Sequence, residues 1–187
     1  YKAQREETPE AIRLSVPIIK EIIRAYRIPI LEVAGYEADD VIGTLATEAG
    51  RQGIITYMMT PDKDYGQLVS DKVFMYRPKH TGGFEVMGVD EVKAKFDIQS
   101  PAQVIDMLGL MGDSSDNIPG CPGVGEKTAQ KLIAEFGSIE NLLEHTDQLK
   151  GALKTKVETN REMITFSKFL ATIKIDVPIQ LDMDSLV

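Results

Sequence analysis

The stretch Gly112–Leu132, GDSSDNIPGCPGVGEKTAQKL, places three different features side by side. Two carboxylates, Asp113 and Asp116, open it, and a run of proline and glycine follows that suits neither a helix nor a strand. A helix is predicted from Glu126 onward. Carboxylates are ligands for hard cations such as Mg²⁺ or Mn²⁺, whereas glycine amides and a helix N-terminus attract anions. The stretch therefore predicts a metal site beside a phosphate-binding loop.

The glycine-rich part of this stretch predicts a contact with the backbone of nucleic acid. Glycines let main-chain amides approach a phosphate closely, and the dipole of the following helix adds positive potential. The loop is not a P-loop, because the Gly-Lys-Thr order and spacing are absent, and it is not a dinucleotide-binding fingerprint, because no buried strand leads directly into it. Such a contact would not depend on base sequence. The residues expected to make it are Gly120, Gly123, Val124, Gly125, Lys127 and Thr128.

Two further acidic clusters lie upstream of this stretch. The first consists of Glu37, Asp39 and Asp40 at the start of a predicted helix, and the second consists of Asp62 and Asp64 after an apolar run. Each acidic cluster also has a structural interpretation: helix capping for the first, a loop with Lys63 as counter-ion for the second, and an Asx-turn for Asp113 and Asp116. If all three converge, the carboxylates would need two divalent ions about 4 Å apart, as in phosphodiester hydrolysis.

The hydrophobic pattern predicts an α/β fold. An amphipathic helix starts at Thr8-Pro9, with Pro17 expected to kink or split it, and a second helix runs from about Ala38 to Gly53. Four strands are predicted, with the second expected to be buried on both faces: Ile28–Val33, Ile54–Met59, Val73–Tyr76 and Phe84–Met87. The remainder reads as helical. The order predicts a parallel-type α/β layer over residues 1–99 and a helical subdomain over residues 100–187.

Composition is that of an ordinary soluble protein, with 43% hydrophobic and 27% charged residues in 187. The net charge of −8 does not exclude nucleic acid, because the acids are clustered and several lysines fall in the C-terminal third. Cys121 is the only cysteine, which fits a reducing compartment. We expect a cytoplasmic monomer without a membrane segment. The first residue is Tyr1, and we read the chain as a fragment.

Three motifs carry a resemblance to a known family: GYEADD at 35–40, TPDKD at 60–64 and GDSSDNIPGCPGVGEKTA at 112–129. From Tyr1 to about Asp176 the chain resembles the flap endonuclease family, and within it the 5′→3′ exonuclease domains of bacterial DNA polymerase I. The resemblance implies a PIN-like or Rossmann-like parallel sheet with a helix-three-turn-helix that grips duplex DNA and often binds K⁺ through main-chain carbonyls. It also implies two Mg²⁺ ions held by Glu37, Asp39, Asp40, Asp62, Asp64, Asp113 and Asp116.

The same resemblance assigns Lys2 and Arg5 as basic groups that polarise the scissile phosphate. It implies hydrolysis of DNA or RNA primers from 5′ ends or flaps in replication and repair, with a polymerase domain following in the parent chain. Family members carry a strand and further aspartates upstream of Tyr1, so we expect one metal site to be weakened here. Two alternatives stay open: a DNA-binding module without catalysis, and a toxin-like or RNA-processing nuclease on a related α/β fold.

Overall fold

The computed structural model describes residue 3 and residues 7–79 and 81–186. Lys2 and Arg5 therefore lie outside the described residues. The helices and strands, in chain order, are α1 Glu10–Ala25, α2 Ala38–Arg51, β1 Thr56–Met59, β2 Val73–Pro78, β3 Phe84–Met87, α3 Val89–Phe96, α4 Val104–Met111, α5 Glu126–Phe136, α6 Ile139–Glu144, α7 Gly151–Thr159 and α8 Arg161–Ala171. Short 3₁₀ turns connect several of them, including Lys63–Leu68 after β1.

The sheet is small and mixed, in the order β1-β2-β3. β1 pairs with β2 in parallel, and β2 pairs with β3 antiparallel. The prediction of a parallel layer is thus correct for one pair only, because a tight turn joins β2 to β3 and reverses the chain. The predicted strand Ile28–Val33 is wrong, since this segment pairs with no other strand within the described ranges. Pro29 lacks the N–H that a paired strand would use there.

β1 lies at the edge of the sheet and alternates between its two faces. Met58 is buried, whereas Tyr57 is 56% and Met59 is 72% exposed. The prediction that this run is buried on both faces is therefore wrong. Side chains of the exposed face stack across the strands, Tyr57 on Phe74 with ring centroids 5.6 Å apart and Tyr76 on Phe84 at 4.7 Å.

α1 is continuous through Pro17 and buries none of its side chains against the described residues. Its apolar stripe is present as predicted, but Ile12, Ile19 and Ile22 are all more than 49% exposed. Pro17 forfeits its own main-chain hydrogen bond without splitting the helix. Within the described part of the chain, no helix is both long enough and apolar enough to cross a bilayer.

The core lies on the other face of the sheet and continues into the helical half. Its fully buried side chains include Met75 of β2, Met107 and Leu108 of α4, Ile139 of α6 and Ile164 of α8. α4 and α8 pack closely because position 109 is glycine. A Cβ there would lie 2.7 Å from Cδ1 of Ile139 and 3.0 Å from the Cα of Lys168.

A buried carboxylate joins three of these helices. Oδ1 of Asp106 on α4 accepts a hydrogen bond from the main-chain N–H of Ile139 at 2.9 Å and one from Nζ of Lys168 at 2.6 Å. Burial raises the pKa of Asp106, and these two donors oppose the rise. Lys168 also donates to the exposed Glu140 at 2.7 Å. Asp106 is therefore the shared acceptor that fixes α6 and α8 on α4.

The loop between α4 and α5 is held by main-chain hydrogen bonds. Asp113 and Ile118 exchange two of them, at 2.9 and 2.8 Å, and Cys121 N–H donates to Leu110 at 2.7 Å. Gly112 and Gly120 both have positive φ and lie against each other, so that a Cβ on Gly120 would be 2.7 Å from the Cα of Gly112. The N–H of Gly120 donates to the hydroxyl of the buried Ser167 on α8 at 3.0 Å.

We expect Asp106→Ala to lower the free energy of unfolding by about 2–4 kcal/mol, because Ile139 N–H and Lys168 lose a buried acceptor. Urea denaturation followed by circular dichroism measures the loss. Glu140→Ala is the matched control, since that exposed partner of Lys168 should cost less than about 1 kcal/mol. Equal losses in the two variants would contradict the role given to Asp106.

Gly120→Ala should destabilise the domain by about 2–5 kcal/mol, since the added methyl group meets the main chain at a residue with positive φ. Gly125→Ala should stay within about 1 kcal/mol of the parent, because its φ is −95° and nothing lies within 4 Å of the new Cβ. Thermal unfolding of the two variants tests this difference. If the two variants unfold at the same temperature, Gly120 does not lie as close to Gly112 as described.

Candidate functional site

The first acidic cluster lies at the N-terminus of α2 and is partly used in building the fold. Oδ2 of Asp40 accepts from the N–H of Glu37 at 3.2 Å, and its Oδ1 accepts from the N–H of Lys174 at 3.0 Å. The capping interpretation therefore holds for Asp40. Asp39 makes a different contact, because its Oδ1 accepts a hydrogen bond from the hydroxyl of Tyr65 at 2.9 Å. That bond connects the first cluster to the second.

The second cluster occupies the 3₁₀ turn after β1. Asp62 is exposed and caps this turn, with Oδ1 accepting from the N–H of Asp64 at 3.0 Å. Asp64 is buried, and among the described residues its Oδ1 has no hydrogen-bond partner. The nearest cation is Nζ of Lys63, 3.9 Å away. Burial, reinforced by the charge of Asp62, raises the pKa of Asp64 to about 7.

The third cluster lies in the loop that follows α4. Oδ1 of Asp113 accepts from the N–H and the hydroxyl of Ser115, at 2.8 and 2.5 Å. Its Oδ2 accepts from Nζ of Lys63. Burial would raise the pKa of Asp113, but the hydrogen bonds from Lys63 and Ser115 outweigh it and hold that pKa below its ordinary value. Asp116 is buried in the same loop, and its charge contributes to the raised pKa of Asp64.

Carboxylates from all three clusters thus lie in one region of the surface. Lys63 joins the second cluster to the third, and Tyr65 joins the second to the first. A cleft of about 370 Å³ adjoins this region, and its lining combines acids with the end of α8 and the segment after it: Glu37, Asp39, Asp40, Asp64, Phe169, Leu170, Ala171, Thr172, Ile173 and Lys174. The lining holds acids of the first and second clusters, and the third cluster is joined to the second through Lys63. Asp40 is committed to main-chain N–H groups.

The donor set fits a hard divalent cation. All of the candidate ligands are carboxylates, and the buried Oδ1 of Asp64 accepts no hydrogen bond from the described residues, which suits it to binding a cation. In the described ranges, however, no three acidic side chains are already arranged around one point as metal ligands. Lys63 takes part of that role, because its ammonium group contacts Asp113 and faces Asp64.

The glycine-rich loop presents fewer amides than its sequence indicates. Gly120 and Val124 are buried, and the N–H of Gly120 is committed to Ser167. The carbonyl of Gly123 accepts from Nζ of Lys156 at 3.4 Å. α5 begins at Glu126, and its N-cap residue Gly125 provides no side-chain cap. The N–H of Thr128 donates to the carbonyl of Gly125 at 3.0 Å, so the N–H groups left without an acceptor inside the helix are those of Glu126 and Lys127.

Lys127 and Thr128 belong to that first turn of α5. Lys127 is exposed and Thr128 is half-buried. An exposed ammonium group beside uncapped helix amides is a suitable contact for a phosphate. Of the six residues predicted to contact DNA, Gly120 and Val124 are therefore buried. The accessible ones are Gly123, Gly125, Lys127 and Thr128.

Sequence reasoning missed three residues that hold the site together. Lys63 was expected to be a local counter-ion, yet its shortest contact is with Asp113, 50 residues away. Tyr65 and Lys174 were not identified, although both bind carboxylates of the first cluster. A tyrosine immediately after Asp64 was a weak signal, whereas nothing in the sequence places Lys174 at the N-terminus of α2.

Two family models match the chain, and together they cover nearly all of it. Residues 1–97 match the 5′-3′ exonuclease N-terminal resolvase-like domain, and residues 99–187 match the 5′-3′ exonuclease C-terminal SAM fold. The chain is 43% identical to DNA polymerase I of Bacillus caldotenax and 45% identical to that of Bacillus subtilis, in both cases over its full length. It spans 21% of the length of each of these relatives.

Solved structures support the same fold. A structure of bacteriophage T5 5′-exonuclease with bound zinc matches 91% of this chain and 63% of its own, with a TM-score of 0.75 and 22% identity. The catalytic core of Rad2 in complex with DNA matches 96% of this chain and 62% of its own, with a TM-score of 0.55 and 16% identity. The α/β half, the SAM-like helical half and the sequence relatives agree, and the chain belongs to the 5′-3′ exonuclease family.

Proposed function

We propose that the chain forms the nuclease part of a DNA polymerase I-like protein, which hydrolyses phosphodiesters at 5′ ends or 5′ flaps of DNA or RNA primers. The observation that carries the proposal is the buried carboxylate of Asp64, which lacks a hydrogen-bond partner within the described residues and is surrounded by other acids. A structural role would have supplied a donor to that oxygen. A buried carboxylate oxygen that has no hydrogen-bond donor is suited to binding a cation.

The acids fall into two proposed sets of ligands. Asp62, Asp64, Asp113 and Asp116 would form the stronger set, and Glu37, Asp39 and Asp40 the weaker one, since Asp40 already accepts two main-chain hydrogen bonds. Bound Mg²⁺ or Mn²⁺ ions would lower the pKa of the attacking water and stabilise the leaving oxygen. Lys2 and Arg5, outside the described residues, are proposed to polarise the scissile phosphate.

Lys63 has a positioning role in this proposal. It holds the side chain of Asp113 and balances part of the negative charge around Asp64. Tyr65 fixes Asp39 at the wall of the cleft. These contacts reduce the electrostatic repulsion between carboxylates that lie close to one another.

The second part of the proposal is a grip on the DNA backbone by the loop and first turn of α5. Gly123, Gly125, Lys127 and Thr128 would meet phosphates directly, and Gly120 and Val124 would shape the loop from beneath. We also propose a K⁺ ion bound by carbonyls of this loop. Phosphate contacts carry no base information, so shape and end structure would select the substrate.

The organisation of the longer protein completes the proposal. Residues 1–99 would form the α/β nuclease layer and residues 100–187 the helical DNA-binding part. A polymerase domain would follow in a monomeric, cytoplasmic, nucleoid-associated protein that acts in replication and repair.

We expect the chain to bind Mn²⁺ at one strong site, and Asp64→Asn to weaken this binding at least about tenfold, because the buried oxygen loses its charge. Isothermal titration of the purified chain measures the affinity. Asp90→Asn, an exposed acid in the first turn of α3, is the matched control and should bind as the parent does. Unchanged affinity in Asp64→Asn would remove the metal assignment.

Cleavage of a DNA duplex with a 5′ flap separates the nuclease from the non-catalytic alternative. We expect Mn²⁺-dependent release of the flap by the parent chain and its loss in Asp113→Ala, because Asp113 anchors both Lys63 and the proposed metal. Denaturing gel electrophoresis of a labelled flap follows the product. Flap binding without cleavage by the parent would favour a DNA-binding module, and cleavage by Asp113→Ala would refute the site.

Lys127→Ala should weaken binding of duplex DNA to a similar extent for unrelated sequences, because the lost contact is to phosphate. The slope of log affinity against log salt should fall by about 1. Fluorescence anisotropy of labelled duplexes at several salt concentrations measures both quantities. Lys79→Ala, an exposed lysine after β2, is the control and should leave the slope unchanged; equal effects would mean general charge attraction only.

A further inference from the structure

Two phenylalanines on the outer face of α8 are more than half exposed. Phe166 is 55% and Phe169 is 70% exposed, and their rings stack with centroids 6.4 Å apart and an interplanar angle of 18°. The opposite face of α8 supplies the buried Ile164, Ser167 and Ala171. Aromatic side chains that are so exposed and stacked on each other indicate a surface that binds a ligand, since they are not packed into the core.

Phe169 also lies at the mouth of the acidic cleft. It lines that cleft together with Glu37, Asp39 and Asp64, and it lines a neighbouring groove of about 630 Å³ that runs along α8. Acids and an aromatic platform are therefore continuous on one surface. A base next to a phosphate held in this cleft would therefore have an exposed aromatic ring within the same lining.

Charge in the groove is compatible with a nucleic-acid strand. Arg161 lines the groove at the N-terminal end of α8. The neighbouring Glu162 also lines the groove and contributes a negative charge there. Phe169 lies eight positions after Arg161, which is about 12 Å along the helix axis. A strand crossing Phe169 would thus bring a later phosphate toward a guanidinium group.

We propose, on the basis of the nuclease function proposed above, that Phe169, backed by Phe166, stacks on an unpaired base next to the phosphate held in the acidic cleft. Only an unpaired base offers its face to a side chain, because duplex bases are already stacked on each other. The aromatic pair thereby selects strands with unpaired nucleotides at the cleft and positions them there. The occupant is single-stranded nucleic acid, and the stacking accepts any base.

The chain contains no tryptophan, so Phe169→Trp introduces a single fluorescent reporter at the site. We expect its emission to be quenched by a DNA duplex with a 5′ single-stranded overhang, in Ca²⁺ to slow cleavage. The same duplex with abasic residues in the overhang should not quench it. Phe84→Trp, on the exposed sheet face and stacked on Tyr76, is the matched control and should not respond to either DNA.

Anisotropy of labelled DNA provides the second measurement. Phe169→Ala should bind the overhang substrate about fivefold or more weakly than the parent, as the loss of one stacked base predicts, and should bind a blunt duplex equally well. If Phe169→Trp binds the overhang DNA without quenching, or quenches equally with the abasic overhang, the stacking role is wrong and the nuclease proposal stands. If the parent binds no DNA at all, the proposed function fails, and this inference fails with it.

Discussion

The site depends on one electrostatic constraint: several carboxylates share a partly buried volume, and a positive charge must balance them. Lys63 supplies that charge within the described residues, by contacting Asp113 and facing Asp64. Burial of acids without such a partner would cost several kcal/mol for each ion. The same constraint explains why the pKa of Asp64 is raised to about 7 while that of Asp113 is lowered, since Asp113 receives the hydrogen bonds and Asp64 does not.

α8 is the support on which the separate parts of the site meet. Ser167 holds the glycine-rich loop through the N–H of Gly120, and Lys168 holds α4 through Asp106. The residues that end α8 form one wall of the acidic cleft, and Lys174 binds Asp40 at the start of α2. The absence of a side chain at Gly109 lets α4 approach α8 closely enough for these contacts. The proposed metal ligands and the glycine-rich loop are therefore both held in place by contacts with α8 and the segment that follows it.

The errors in the predicted fold concern which elements pack against or pair with one another. The local hydrophobic patterns were interpreted correctly. α1 has the apolar stripe expected of a buried helix, and β1 has the apolar run expected of an inner strand, yet Ile19 and Met59 are both exposed. Periodicity reports which face of an element is apolar, but it does not report what covers that face. The prediction of a strand at Ile28–Val33 was wrong for a related reason, because a strand forms only when a neighbouring strand pairs with its backbone.

Local sequence by itself determined the helix at Ala38, the β2–β3 pair, the irregular loop after Asp113 and the carboxylate clusters, because caps, turns and strand alternation act within a few residues. It also carried the motifs that identify the family. Only the tertiary structure decided that Oδ1 of Asp64 has no donor among the described residues, that Lys63 reaches Asp113 across 50 residues, and that Asp40 accepts from the N–H of Lys174. Those outcomes depend on how α2, the turn after β1, α4 and α8 pack against one another, and no short stretch of sequence encodes the distance between side chains on different elements.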